Sequence, residues 1–232
     1  MKSIKSSSRI GITVHYVFLV VLSLFFIFPF FVMLSRSLMD WEDFLYPVKL
    51  FPTKLYFGAY LRAFDIRLLQ YFTNSFIVII TNIIFVPLSA ALVAYPFAKM
   101  NFPGRNFFFS MILATIMLPT VVVQIPQYVI YYNIGWIDTL FPLIVPSALG
   151  GGAMNIFLIR QFMKSLPNDI SNAAKIDGAN NLLICLQIIF PLCKPIILYV
   201  MINTFFAVWN DFTGPLLFLT SDKSFTLAIG IY

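Results

Sequence analysis

Few side chains in this sequence could do covalent chemistry. There is one histidine, His15, and there are two cysteines, Cys185 and Cys193, so no Cys/His metal cluster can be assembled. Both thiols sit in apolar surroundings and read as buried and inert. His15 lies near the start of an apolar run. An ionisable residue there is a functional candidate by default, and a neutral interfacial histidine is the simpler reading. We find no glycine-rich phosphate loop, no paired catalytic carboxylates and no nucleophile elbow, so nothing argues for an enzyme. What remains is hydrogen-bonding chemistry. Asn82, Asn155 and Asn203 fall inside apolar segments. Amides and aromatics suit a hydroxyl-rich ligand moving between helices, and the competing reading is that these amides bond neighbouring helices.

The elements that would position them are membrane helices. Of 232 residues, 60% are hydrophobic and only 10% charged, against about 25% charged in a soluble domain, and the mean hydropathy is +0.91. Apolar stretches at about 10–34, 74–97, 107–131, 139–162 and 196–212 predict five spans. The basic start (Lys2, Lys5, Arg9) and the short basic loop from Lys99 to Arg105 place those segments in the cytoplasm, and a long loop of mixed charge from Arg36 to Phe72 outside. Tyr46, Tyr56, Tyr60 and Tyr71 mark the membrane interface there. The net charge of +6 fits cytoplasmic loops and is not read as nucleic-acid binding. Pro119 and Pro126 are expected to interrupt the third span, which would then line a cavity or simply kink. In the fourth, Gly150-Gly151-Gly152 allows close helix approach or frees carbonyls toward a substrate.

Between the last two spans lies a polar island, 164–195. Pro167 is placed to open a helix. Ile170, Ala173, Ala174 and Asp177 share a shallow face at i, i+3, i+4, i+7. Gly178 is the expected residue just past the helix end because it accepts φ > 0, and Asp177 is expected to pin the turn through backbone N–H groups. An apolar run, Leu182 to Phe190, then leads to Pro191 and Pro195, which would bend the chain into the next helix.

Asn172-Ala173-Ala174, Asp177-Gly178-Ala179 and Ile188-Ile189-Phe190-Pro191 resemble the cytoplasmic "EAA" loop of ABC importer permeases. Asn172 stands at the family's Glu and Phe190 at its Leu, and the first departure removes a charge from the docking surface. Phe51-Pro52, Asn74-Ser75, Ala90 to Tyr95 and the Lys99–Arg105 loop resemble the carbohydrate, maltose-type second permease of that family. So does Trp209-Asn210-Asp211 with Gly214-Pro215-Leu216. The resemblance implies an all-α, polytopic membrane helix bundle of the type I ABC importer permease kind. It implies one transmembrane permease domain over 1–232, multi-pass in a bacterial inner membrane, with the family's sixth helix absent from this sequence. The implied partners are a second permease subunit, an ATP-binding cassette ATPase dimer, an extracellular substrate-binding protein and a carbohydrate. ATP and magnesium would sit on the ATPase subunits, with no cofactor on this chain. Asn172, Ala173, Ala174, Asp177, Gly178 and Ala179 would then couple to the ATPase. Asn82, Asn155 and Asn203 would line the substrate path, and Trp209, Asn210 and Asp211 would form an extracellular gate or binding-protein contact.

Two rivals stand beside this reading. A truncated permease acting as a non-transporting scaffold would fit the missing sixth helix. An ion-coupled secondary transporter would want carboxylates deep in the spans and inverted repeats. None of the nine acids lies deep in a predicted span, and no inverted repeat is visible.

Overall fold

The chain divides into two compact units, Met1–Ile66 and Arg67–Tyr232. The computed structural model describes residues 9–45, 49–65 and 67–231. Lys2, Lys5, Tyr46 and Tyr232 lie outside the described residues.

In the first unit, α1 (Arg9–Ser37) carries Val, Leu, Ile and Phe on every face, with Val14, Phe18, Phe25 and Phe30 all exposed. A helix apolar all round belongs in a protein core or in a membrane. Its apolar stretch Gly11–Ser37 is 27 residues long, about 40 Å at the α-helical rise and enough to cross a bilayer core of ~30 Å. His15 is an exposed residue within it, ring to ring with Tyr16. The following segment folds back on the helix end. Tyr56 N–H donates to the Leu38 carbonyl (3.0 Å), and the Ser35 hydroxyl donates to the Leu50 carbonyl. Asp40 caps the short α2 (Trp41–Phe44) by accepting from Trp41 N–H. Asp43 holds the fold-back together, accepting from Lys49 Nζ at 2.6 Å and from the Thr53 N–H and hydroxyl. The Lys49 ammonium, then the Thr53 donors, draw its pKa down to about 2. A third helix, α3 (Gly58–Asp65), ends the unit.

The second unit is organised around α4 (Leu68–Lys99), which packs most extensively against α7 (Phe141–Gly150), α8 (Ala153–Ser165) and α11 (Lys194–Trp209). Between them in sequence come α5 (Arg105–Ala114), α6 (Thr120–Asn133), α9 (Asn168–Ile176) and α10 (Asn181–Leu192). Two short helices follow, α12 (Thr213–Phe218) and α13 (Leu227–Gly230). The described residues contain no strand.

The α4 helix presents Ala90, Ala91 and Ala94, none of them exposed, to Ile159 and Met163 of α8, with Ile184 and Ile189 of α10 and Val200 of α11 completing the core. Lipid is as apolar as these side chains, so such helices associate through close van der Waals packing rather than escape from water, and small residues permit it. A close approach of backbone to backbone lies at the α7–α8 break. Gly151 (φ +65°) and Gly152 (φ +79°) both adopt left-handed backbone there. A Cβ on Gly151 would lie 2.5 Å from the Ala90 nitrogen and 2.6 Å from its Cα. The glycine triplet is therefore a packing device at its centre residue, and the Gly151 carbonyl accepts from Asn155 Nδ2 (2.9 Å).

Two segments differ from the sequence reading. The expected third span, 107–131, is two helices bent by 99° around Leu118–Pro119. Pro119 forces extended backbone on the residue before it, whereas Pro126 rides inside α6 without a break. The expected cytoplasmic loop 164–195 is not a loop throughout. Residues 181–192 form α10, with a π-helical stretch over Ile184–Ile189, and it buries Ile184, Cys185 and Ile189. The 80° bend into α11 lies at Cys193, between the two prolines expected to make it. The free thiols of Cys185 and Cys193 are both in this core. Finally, residues 219–231 form a strap across the first turns of α4. Gln70 and Asn74 amides donate to the Lys223 and Phe225 carbonyls, and Ser75 Oγ accepts from Leu227 N–H.

Gly151→Ala tests the close approach. Overpacking against a backbone costs typically 1–3 kcal/mol, with roughly 1–2 more for an L residue in left-handed backbone. The variant should unfold in detergent several degrees below the parent, while Gly150→Ala, whose Cβ meets open space, should not. Equal unfolding temperatures for the two would remove the role given to this contact.

Candidate functional site

Along α4, polar side chains reach into the second unit at three heights. Gln70, Asn74 and Ser75 hold the strap, Asn82 is mid-helix, and Lys99 is at the far end. From Asn82 to Lys99 is about 25 Å at 1.5 Å per residue.

At the height of Asn82 a cleft of about 620 Å³ opens between α4, α6, α7, α8 and α11. All three asparagines expected on a substrate path line it, together with Asp211. They do different work. Asn82 is fully buried. Its amide donates to the Val78 and Leu143 carbonyls (2.8 and 3.0 Å), and its oxygen accepts from the Ser147 hydroxyl at 2.5 Å. It thus ties α4 to α7, and both of its amide protons are used. Asn155 spends its amide on Gly151, stabilising the α7–α8 break. Asn203 is exposed and donates to Tyr199 one turn back (3.0 Å), which leaves its oxygen without a partner among the described residues.

Two wall residues were not singled out from sequence. Gln124 and Gln127 are half-buried on α6, three residues apart and so on one face, and both line the cleft. No described residue bonds either amide. Pro119 is what turns α6 so that this face looks inward, and neither hydropathy nor spacing reveals a 99° bend. Tyr131, Thr204 and Phe218 add an aromatic and hydroxyl lining. Phe218 meets Tyr131 edge-on (5.2 Å between centroids), and Tyr131 stacks on Trp136 (5.7 Å).

The Trp209-Asn210-Asp211 signature is split. Trp209 stacks on Phe205 (5.8 Å) and faces a second, smaller cavity of about 300 Å³ beneath the strap, with Ser75 and Thr226. Asn210 is exposed and bonds back to Phe206 (2.8 Å). Asp211 lies between the two cavities and accepts from Gly214 N–H (3.0 Å) in the first turn of α12.

At the Lys99 end, Lys99 Nζ donates to the Leu166 carbonyl (2.6 Å) and to Asn168 Oδ1 (2.9 Å), anchoring the start of α9. The face of α9 turned to the protein is Ser171 and Ala174. Asn172, Ala173 and Asp177 are exposed and Ala179 half-buried. Gly178 takes φ +85° just past the helix, with its N–H on the Lys175 carbonyl and Ala179 N–H on the Ala174 carbonyl, a closure of the Schellman kind. The Asp177 carboxylate accepts no hydrogen bond among the described residues. The pin is instead Asn180, whose Oδ1 accepts from Leu183 N–H at 2.8 Å and caps α10. The most exposed apolar side chain here is Ile176, at 86%, which the shallow-face pattern did not single out.

Asp138 joins the loop before α7 to the strap. It sits at φ +63°, which Asp tolerates better than most residues, and accepts from the Thr220 and Ser221 N–H groups (2.9 Å each) and the Ser224 hydroxyl (2.5 Å). Burial raises its pKa, but the hydroxyl and two backbone donors outweigh this and hold the carboxyl well below its ordinary value. A carboxyl depressed in the fold adds stability above its unfolded pKa of about 4 and loses it as pH falls through the lower, folded value. Asp138→Asn keeps the backbone geometry and removes the charge. The parent should therefore unfold at a higher temperature than the variant at pH 7, and the gap should close as pH falls below about 4. A gap independent of pH would contradict this.

Residues 83–231 match the family described as "Binding-protein-dependent transport system inner membrane component". The diacetylchitobiose uptake system permease of Streptomyces coelicolor is 29% identical over 227 residues, 97% of this chain and 75% of that protein. The arabinooligosaccharides transport system permease of Bacillus subtilis is 29% identical over 228 residues, 96% and 79% of the two chains. The sn-glycerol-3-phosphate transport system permease of Brucella abortus is 33% identical over 175 residues, 75% and 61%. A bacterial ABC transporter involved in import of the acidic polysaccharide alginate has a chain of the same fold, with TM-score 0.82 at 22% identity over 99% of this chain and 81% of that one. With its all-helical fold, its apolar helices long enough to cross a membrane and this match over most of its length, the chain belongs to the family of binding-protein-dependent transport system inner membrane components.

Proposed function

We propose that this chain is a permease subunit of an ATP-driven sugar importer in a bacterial inner membrane, and that the cleft at Asn82 is its half of the sugar path. The observation that carries this is the set of uncommitted amides on the cleft wall, Gln124 and Gln127 with the Asn203 oxygen, among Tyr131 and Phe218. Amide donors and acceptors match sugar hydroxyls, and aromatic faces match the apolar faces of the ring. The names of two of the relatives, which concern oligosaccharides, support the same ligand class.

On this reading the Lys99 end is cytoplasmic and α9 is the docking helix for an ATPase subunit, presenting Ala173 for close fit and Ile176 as an apolar anchor. The ATPase pair binds ATP and magnesium. Its closure moves α9 as a rigid body, and a second permease subunit supplies the opposite wall, so the cleft opens alternately to either side. A binding protein delivers sugar at the strap end, near Trp209 and Asp211.

Two outcomes are expected. Gln124→Ala combined with Gln127→Ala should lower ATP-dependent sugar uptake by roughly thirtyfold, through loss of two hydrogen bonds at about 1 kcal/mol each, without changing subunit assembly. Unaltered uptake would remove the cleft from the path. Gly178→Val should abolish co-purification of the ATPase. A Cβ there meets no atom of this chain, so within the chain the damage comes from φ, and Gly178→Asn, which tolerates left-handed backbone, should retain the complex. Loss in both variants would mean that φ is not the cause.

A further inference from the structure

A second cleft, about 310 Å³, lies between the α4–α5 turn and one side of α9. Lys99, Arg105 and Lys175 line it and no acidic side chain does. Among the described residues none of the three makes an ion pair. Lys99 has a third ammonium proton beyond its bonds to Leu166 and Asn168. Arg105 commits only Nη1, to the Met100 carbonyl and Asn101, and Lys175 is exposed without a hydrogen-bond partner. The same cleft is edged by Asn168, Ser171 and Asn172, the N-terminal part of α9. That helix starts after Pro167 with no side-chain cap, so its free N–H groups and dipole add to the positive field. Asp169, the acid of that turn, does not line the cleft.

Ser171 supplies the independent observation. It is 5% exposed, and its hydroxyl has no hydrogen-bond partner. Leaving a buried hydroxyl unmet is costly, and such groups in native proteins are nearly always satisfied. Here it borders a pocket of uncompensated cations. We propose that this cleft binds a phosphate-type oxyanion, with the Ser171 hydroxyl donating to one oxygen and Lys99, Arg105 and Lys175 surrounding the others. The chemistry is common to free phosphate and to the phosphate of an anionic lipid headgroup. The inference does not require the transport reading, because it concerns the isolated chain.

The test is thermal unfolding of the purified full chain in phosphatidylcholine nanodiscs, with inorganic phosphate replacing chloride at constant ionic strength. A parallel sample uses discs containing phosphatidylglycerol. Phosphate should raise the unfolding temperature of the parent. Lys175→Gln should weaken the apparent affinity about tenfold, the loss of one charge-assisted bond. Asn172→Glu, which sets a carboxylate at the rim, should abolish the response. Ser171→Ala should be as stable as the parent without phosphate, having lost an unmet hydroxyl, yet respond more weakly. A rise seen only with phosphatidylglycerol, and lost in Asn172→Glu, identifies the occupant as a lipid headgroup. No rise in either sample, or an equal rise in all variants, overturns the proposal.

Discussion

Where Gly151 meets the backbone of Ala90, α7 and α8 are brought against α4 more closely than any side chain would allow. In a bilayer the hydrophobic effect does not drive helices together, so such contacts and the hydrogen bonds around them must hold the bundle. The neighbours of this contact serve it. Ala91 and Ala94 extend the smooth stripe, Asn155 covers the Gly151 carbonyl, and Asn82 binds α4 to α7 from the other side. A break between α7 and α8 is what leaves room for a cleft beside them.

Polarity within this unit is accordingly of two kinds. Some groups are consumed in holding helices, as at Asn82, Ser147 and Asn155. Others, at Gln124 and Gln127, face the cleft without a partner among the described residues. The distinction decides which amides can meet a ligand. It also explains the strap: Gln70, Asn74 and Ser75 bind the backbone of residues 223–227, so the segment between α12 and α13 is an extension of α4's surface. The Asn74-Ser75 pair, singled out by resemblance, therefore has a local physical reason.

Much of this was legible in the sequence where one residue type has one dominant use. Gly178 reads as a left-handed helix end because glycine alone tolerates that backbone freely, and the triple glycine reads as a close approach or as freed carbonyls, of which the structure shows the first at Gly151. Hydropathy delivered α1 and α4. What was illegible depends on three-dimensional direction. Pro119 and Pro126 look alike in a sequence, yet only the first falls where the chain can turn, and that turn decides where Gln124 and Gln127 face. Residues 182–190 read as an apolar run inside a cytoplasmic loop, and composition alone does not tell that Ile184, Cys185 and Ile189 belong to the core. Asp177 and Asn180 are equally plausible pins by composition, and only backbone geometry selects Asn180.

If this chain works as one wall of an importer driven through α9, affinity purification from native membranes should bring down a second permease subunit and an ATP-binding cassette ATPase with it in stoichiometric amounts. Recovery of the folded chain with neither would contradict that role.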